Sequence, residues 1–226
     1  MCAMNFRHEW KHEISRSDLL VLRARLQVVA RPDPHGQDGR YRIRSLYFDT
    51  PRDAALWEKI NGVDRREKFR LRYYGGDSSQ VRLEKKCKRG GLCAKESAPL
   101  EREEVRAILA GELDWMPDCG RPLVREFFSK LRGNLLRPQT IVDYTREAYV
   151  FPAGDVRVTL DSGLRTGLGG TDFLNPECIT VPARDAPLLL EVKWGPFLPD
   201  IIRDAVQLGS RRAAAFSKYA ACRAYE

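Results

Sequence analysis

The sequence predicts an α+β fold: an antiparallel sheet or barrel with helices packed outside it. Two observations lead there. Alternating, period-two runs outnumber helical patterns through the middle of the chain, and helical patterns sit in the connections and at the end. The 226 residues suffice for one sizeable core, so residues 1–226 are expected to form a single domain.

Phe6 to Ile14 reads as a strand. Ser15-Arg16-Ser17-Asp18 then caps a helix to about Val29, because a serine at the cap accepts from an unpaired N–H of the first turn. Arg31 to Gly36 is a loop, and Arg40 to Phe48 an alternating strand. Thr50-Pro51-Arg52-Asp53 has the form of a helix start, Thr at the cap and Pro in the first turn, leading into a helix to about Ile60. Arg66 to Tyr74 and Gln80 to Lys88 alternate on either side of Gly75-Gly76-Asp77-Ser78 and form a hairpin. Pro99 to Leu109 and Pro122 to Leu131 read as helices. Arg137 to Phe151, Val156 to Asp161 and Leu188 to Trp194 read as strands, with a loop-rich crossing from Gly167 to Pro187. Helices from about Pro199 to Leu208 and Arg211 to Cys222 close the chain.

The chain carries 39 Lys+Arg against 31 Asp+Glu, a net charge of +8, which favours an anionic partner. No apolar run approaches the roughly 18 residues that cross a bilayer. The N-terminus lacks the apolar stretch of a signal peptide, so the expectation is a cytoplasmic protein, at the inner face of the membrane if a partner holds it there, or the soluble part of something larger. Cys2, Cys87, Cys93, Cys119, Cys178 and Cys222 form no CxxC pair and read as thiols. His8, His12 and His35 form no ligand set; His8 and His12 lie in a strand and read as structural. A nucleic-acid partner is not expected. There is no helix-turn-helix, zinc or ribonucleoprotein signature, and the strand cations interleave with carboxylates that would repel phosphate in a groove.

The placement of charge carries the functional information. In the strand from Arg66 to Tyr73, cations recur at every second position. Arg66, Lys68, Arg70 and Arg72 therefore share one face, while Phe69, Leu71 and Tyr73 share the other. Four like charges in a row repel, so that face must be well solvated or hold an anion. Arg82, Glu84 and Lys86 repeat the device, as do Glu191 with Lys193 and Glu9 with Lys11; Arg146 and Arg157 each stand alone in a strand. Any one of these strands fits an ordinary solvated sheet. Closed into a barrel, they would ring a lumen with many cations and a few carboxylates. Arginine forks would grip oligophosphate, and carboxylates would hold a bridging divalent metal.

Four segments in order, Ser45-Leu46-Tyr47-Phe48-Asp49-Thr50, Arg66-x-Lys68-x-Arg70-x-Arg72-Tyr73-Tyr74, Leu83-Glu84-x-Lys86 and Leu190-Glu191-Val192-Lys193, resemble the VTC domain. That domain is the catalytic part of polyphosphate polymerases and belongs to the triphosphate tunnel metalloenzymes. The resemblance runs from Arg7 to Tyr219 and is similar to bacterial members. It implies an eight-stranded antiparallel barrel with helices outside and a closing C-terminal helix. It also implies transfer of the terminal phosphate of ATP, or another nucleoside triphosphate, onto polyphosphate, with pyrophosphate or triphosphate as primers. The cofactor implied is a divalent metal, Mn2+ or Mg2+.

Carried over by motif, Arg70, Arg72, Lys86 and Lys193 would be catalytic, and Lys11, Lys95, Arg146, Arg157 and Lys218 would bind phosphate. Arg66 and Lys68 join them as neighbours on the same strand face. Glu191 would be the metal ligand. Phe216-Ser217-Lys218-Tyr219 is similar to the closing-helix motif of the family, but Ala215 stands where the pattern has a second basic residue one helical turn earlier; Arg211 and Arg212 lie nearby. Any membrane-protein partner would be encoded outside this chain. A triphosphate or polyphosphate hydrolase, and a polyphosphate-binding module without activity, are the alternatives.

Overall fold

The structure, a computed structural model, describes residues 5–34, 36, 39–184, 186–209 and 213–224. His35, Cys2, and Arg211 and Arg212 at the expected start of the last helix lie outside the described residues.

The described residues fold as a mixed α+β structure around one large antiparallel sheet of ten strands. In order these are β1 (His8–Ile14), β2 (Arg31–Pro32), β3 (Arg40–Asp49), β4 (Arg66–Tyr74), β5 (Val81–Arg89), β6 (Leu92–Leu100), β7 (Arg137–Phe151), β8 (Val156–Thr166), β9 (Val181–Pro182) and β10 (Leu188–Trp194). The helices are α1 (Arg16–Val29), α2 (Ala54–Ile60), α3 (Arg102–Ala110), α4 (Pro122–Gly133), α5 (Asp200–Ala205) and α6 (Lys218–Arg223). Eight strands run side by side in the order β1-β10-β8-β7-β3-β4-β5-β6, while β2 pairs with β7 and β9 with β8. The expected eight-stranded barrel is corrected here, because strand pairing does not close the sheet. Among the described residues one bridge joins the two edges: Arg7, just before β1, and Cys93 of β6 exchange two backbone hydrogen bonds of 2.9 Å.

Local signals explain most elements. Ser15 caps α1 in a reciprocal box with Asp18, and Leu22 and Leu26 of that helix are fully buried. Gly75 and Gly76 both take positive φ in the β4–β5 turn, a conformation that other residues adopt at a cost. Phe69, Leu71 and Tyr73 bury the outer face of β4 against α3 and α4, where Phe127 stacks on Phe69 at 5.2 Å and meets Phe48 edge-on at 5.0 Å. Each fully buried side chain of this kind contributes about 1.5–3 kcal/mol, so this layer fixes the opposite face of β4 toward the interior.

Several boundaries differ from the sequence reading. Helix α2 begins at Ala54, so Thr50 is not its N-cap residue and Pro51 lies before its first turn, although Thr50 Oγ1 accepts from Ala54 N–H at 3.0 Å. Buried Asp49 takes the cap's place, accepting from the N–H groups of Ala55 (2.8 Å) and Leu56 (3.0 Å), while residues 50–53 turn beneath it. Residues 92–100 form a strand rather than a loop and the start of a helix. Pro99 is tolerated because β6 ends the strand path, and α3 starts after Glu101. The loops carry the two-residue strands β2 and β9, and β8 runs on to Thr166. Both closing helices are shorter than expected. Residues 213–217 are extended along β1, with Ala213 bridged to His12, because Ala214 N–H donates to Lys11 O at 2.7 Å. Among the described residues no helix is long and apolar enough to cross a membrane.

Candidate active site

The inner face of the sheet wraps a cavity of about 1220 Å³ lined by side chains from all eight strands of the main path and by the segment at α6. Arg66, Lys68, Arg70 and Arg72 of β4 line it, as period-two alternation requires. So do Lys11, Lys86, Lys95, Arg146, Arg157, Glu191, Lys193 and Lys218, so the structure brings every sequence-predicted site residue to one cavity.

Buried carboxylates tie this basic wall together. Glu84 is fully buried on β5; one of its oxygens accepts from Arg70 at 2.7 and 2.9 Å, and the other accepts from Lys95 at 3.0 Å. Arg72 lies 3.6 Å from the same group. Burial disfavours the charged form of Glu84, but Arg70, Arg72 and Lys95 outweigh it and hold its carboxyl well below the usual range.

A second node forms where β1 pairs with β10. The register sets Glu9 opposite Lys193 and Lys11 opposite Glu191, a checkerboard of alternating charge. Lys193 lies 2.8 Å from Glu191 and 3.5 Å from Glu9; Lys11 lies 3.5 Å from Glu191 and 3.4 Å from Glu9. Lys86 adds a 2.8 Å bond to Glu9. Burial and the neighbouring Glu191 both push the Glu9 carboxyl upward, yet Lys86, Lys11 and Lys193 bring it well below the usual range. Burial likewise opposes ionisation of Glu191, and Lys193, Lys11, Lys86 and Arg146 overcome it.

Asp161 of β8 forms a third node. Arg146 grips it with a two-pronged fork, 2.7 Å on each prong, and Lys218 of α6 reaches it at 2.6 Å. Burial resists ionisation, but Arg146 and Lys218 bring this carboxyl down to about 2. Arg157 pairs with buried Asp33 at 2.5 Å and donates to the Tyr41 hydroxyl at 2.7 Å.

Tyrosines complete the wall. Tyr47 Oη accepts from Arg70 Nη1 at 2.7 Å, and its ring stacks on Tyr219 of α6 at 5.0 Å. Burial opposes ionisation of Tyr47, but Arg70, Arg72 and Lys68 bring the phenol down to about 8. Burial pulls Lys68 down to about 8 as well, aided by Arg66 and Lys59 and opposed by Tyr47 and Asp49. Tyr144 receives a 3.3 Å bond from Arg72, and Lys218 Nζ sits 4.6 Å from the centre of its ring. Ala215 also lines the cavity, from extended chain rather than from a helical turn before Lys218.

Among the described residues no three His, Cys, Asp or Glu side chains form a cage for a metal. The donors fit a different kind of site. Glu9 and Glu191 both favour the ionised form, are bridged by the same two lysines and line the cavity; a magnesium-like ion needs only one or two carboxylates when phosphate and water supply its remaining ligands.

Sequence reasoning missed Tyr144, Tyr47 and Tyr219 as cavity residues, and Asp161 as the buried partner behind Arg146. Three of them had a signal. Asp161 is four residues after Arg157, and Tyr144 two before Arg146, on the same strand faces. Tyr47 belongs to the Ser45–Thr50 segment and shares the face of Ser45, opposite Arg72 in the register. Tyr219 reaches the site only through the path of the closing segment.

Solved structures share the fold, two of them over nearly their whole length. HpAC1 of Hippeastrum, described as an adenylyl cyclase candidate with a dominant triphosphatase activity, is 14% identical with a TM-score of 0.56, covering 96% of this chain and 95% of that one. The PH1012 protein of Pyrococcus horikoshii OT3 is 12% identical with a TM-score of 0.52, covering 94% and 96%. Compared with curated protein sequences, the chain matches none. The family model described as VTC domain matches residues 6–226, nearly the whole length, and the chain therefore belongs to the VTC domain family.

Proposed function

We propose that the chain is a polyphosphate polymerase that moves the terminal phosphate of ATP, or of another nucleoside triphosphate, onto a polyphosphate chain inside the basic cavity. Residues 1–226 act as one domain in this reading, and the cytoplasm is the compartment it implies. The observation that carries it is the extent of the cationic wall. Cations from seven strands and α6 line a space of about 1220 Å³, beyond the roughly 300–1,000 Å³ of ordinary small-ligand pockets. A nucleotide and a lengthening anion need such a path, whereas a single triphosphate needs a short cluster.

In this role Arg70 and Arg72 clamp phosphate oxygens, and Lys86 and Lys193 neutralise charge that develops during transfer. Lys11, Arg66, Lys68, Lys95, Arg146, Arg157 and Lys218 hold the remaining phosphates. A divalent cation, manganese or magnesium, would supply positive charge that offsets that of the phosphates. Glu191 would hold it, with Glu9 beside it. Lysine suits the exchange this requires, since a flexible point charge can leave a carboxylate for a phosphate without losing a matched fork.

Hydrolysis of triphosphate is the second reading, favoured by the triphosphatase activity named for HpAC1, whose fold this chain shares. Incubation with ATP and manganese separates the readings. A polymerase yields ADP and acid-insoluble polyphosphate, with any lag shortened by pyrophosphate or triphosphate. Orthophosphate matching ADP one for one at all times leaves the hydrolase. Polyphosphate binding without ADP leaves a binding module.

A further inference from the structure

The segment Ser45-Leu46-Tyr47-Phe48-Asp49 has alternate residues on the cavity side of β3, and each makes a contact with the catalytic wall or the closing helix. Ser45 Oγ accepts from Arg72 Nε at 2.9 Å, and Tyr47 Oη from Arg70 Nη1 at 2.7 Å. Asp49 accepts from the Tyr219 hydroxyl at 2.8 Å. The register makes this order unavoidable, since Ser45 lies opposite Arg72 and Tyr47 opposite Arg70. Tyr47 is the point where both functions meet, because its hydroxyl holds a guanidinium while its ring carries Tyr219 of α6.

We propose that Tyr47 is a positioning residue that couples the seating of the closing helix to the orientation of Arg70. The proposal rests on the phosphate-binding reading of the cavity. Arg70 is held from two sides, by Glu84 and by Tyr47, and the second hold depends on a ring that Tyr219 packs against. Lys218, next in sequence to Tyr219, is tied to Asp161, so seating α6 delivers a cation to one wall while bracing the arginine of another.

The groups facing Tyr47 set a pH signature for this coupling. They are Lys68, Arg70 and Arg72 on β4, Glu84 behind Arg70 on β5, Tyr144 on β7, Asp49 on its own strand, and Tyr219 and Lys218 on α6. A phenolate at Tyr47 would bind the Arg70 guanidinium more tightly and withdraw it from phosphate. Triphosphate affinity should therefore fall as pH rises through about 8. Lys68 loses its charge in the same range, so the test is run with Lys68→Arg, which keeps the charge at all these pH values.

Tripolyphosphate binding is measured by calorimetry from pH 6.5 to 9.5 for Lys68→Arg and for Lys68→Arg/Tyr47→Phe. A difference titration at 295 nm, with no ligand present, follows the tyrosines. The single variant should lose affinity above pH 8, and the double variant should bind about tenfold more weakly at pH 7 and lack that alkaline loss. The phenol that ionises near pH 8 at 295 nm should vanish with Tyr47→Phe. Ser45→Ala should weaken binding and keep the alkaline loss. Equal affinities and parallel pH profiles in the single and double variants would overturn the coupling while leaving the phosphate site intact. If the single variant and the wild type both fail to bind tripolyphosphate, the phosphate reading falls, and the positioning role falls with it.

Discussion

Arg70 donates through Nε and Nη2 to a single oxygen of Glu84, and that carboxylate is fully buried. The guanidinium is thus oriented before any phosphate arrives, with Tyr47 holding its remaining terminal nitrogen. The same pattern recurs around the cavity. Arg146 is held by Asp161 and the lysines of β1, β5 and β10 by Glu9 and Glu191, so the wall is a set of locally balanced nodes. Such prior ordering lowers the reorganisation needed when anionic charge enters.

Arg70→Ala should weaken triphosphate binding by about tenfold or more, the equivalent of a charge-assisted bond of about 1.5–3 kcal/mol. It also leaves Glu84 to Arg72 and Lys95. Arg70→Lys should restore only part of the loss, since lysine cannot reach both Glu84 and Tyr47 as a planar fork. Calorimetric titration with tripolyphosphate checks both; equal binding by Arg70→Ala and wild type would mean that this face is merely solvated.

Glu191→Gln should abolish metal-dependent turnover and leave the fold intact. Glu9→Gln should raise the manganese concentration needed without abolishing turnover, because one carboxylate can hold an ion that phosphate also ligates. A manganese titration of activity, with circular dichroism as the folding check, reads both effects. Wild-type turnover by Glu191→Gln across that titration would remove Glu191 from the ligand set.

Asp161 should make acid stability depend on pH. Its carboxyl lies at about 2 in the folded protein against an ordinary 3.8, so it contributes about 2 kcal/mol that is fully present above pH 4. This contribution is lost as pH falls toward 2, where the folded-state group takes up its proton. Asp161→Asn should destabilise the protein by about 3 kcal/mol at pH 7, since Arg146 keeps its charge inside the wall without a carboxylate. Urea unfolding at pH 7, 4 and 2.5 should show the gap between variant and wild type narrowing at the lowest pH.

Asp49→Ala should free the first turn of α2 and the hydroxyl of Tyr219 together. Loss of the cap alone costs about 1 kcal/mol, and the buried Tyr219 O–H, left without its acceptor though still accepting from Arg223, adds about 1–3 kcal/mol. Hydrogen exchange should speed up at the amides of Ala55 and Leu56, and the melting temperature should fall. Unchanged exchange at those two amides would show that Thr50, which accepts from Ala54 N–H at 3.0 Å, suffices as the cap.

The sequence by itself determined the faces of the strands. Alternation is a local property, and four cations interleaved with Phe69, Leu71 and Tyr73 can satisfy both sets only by pointing them to opposite sides of β4. The same reasoning placed Glu191 beside Lys193 and Glu9 beside Lys11. Strand β6 escaped it, because Ala94, Glu96, Ser97, Ala98 and Pro99 are poor strand formers held in place by pairing with β5. Only the tertiary structure decided which cation meets which carboxylate. Glu84 reaches Lys95 diagonally, since the β5–β6 register sets Glu84 opposite Ser97 and Lys95 opposite Lys86; Lys86 of β5 reaches Glu9 of β1 across the gap in strand pairing, and Lys218 reaches Asp161 because the chain returns along β1. The extent of sheet closure was likewise beyond local reading. A strand's sequence sets which side chains face inward, but the meeting of β1 with β6 depends on the summed twist and stagger of every pair between them.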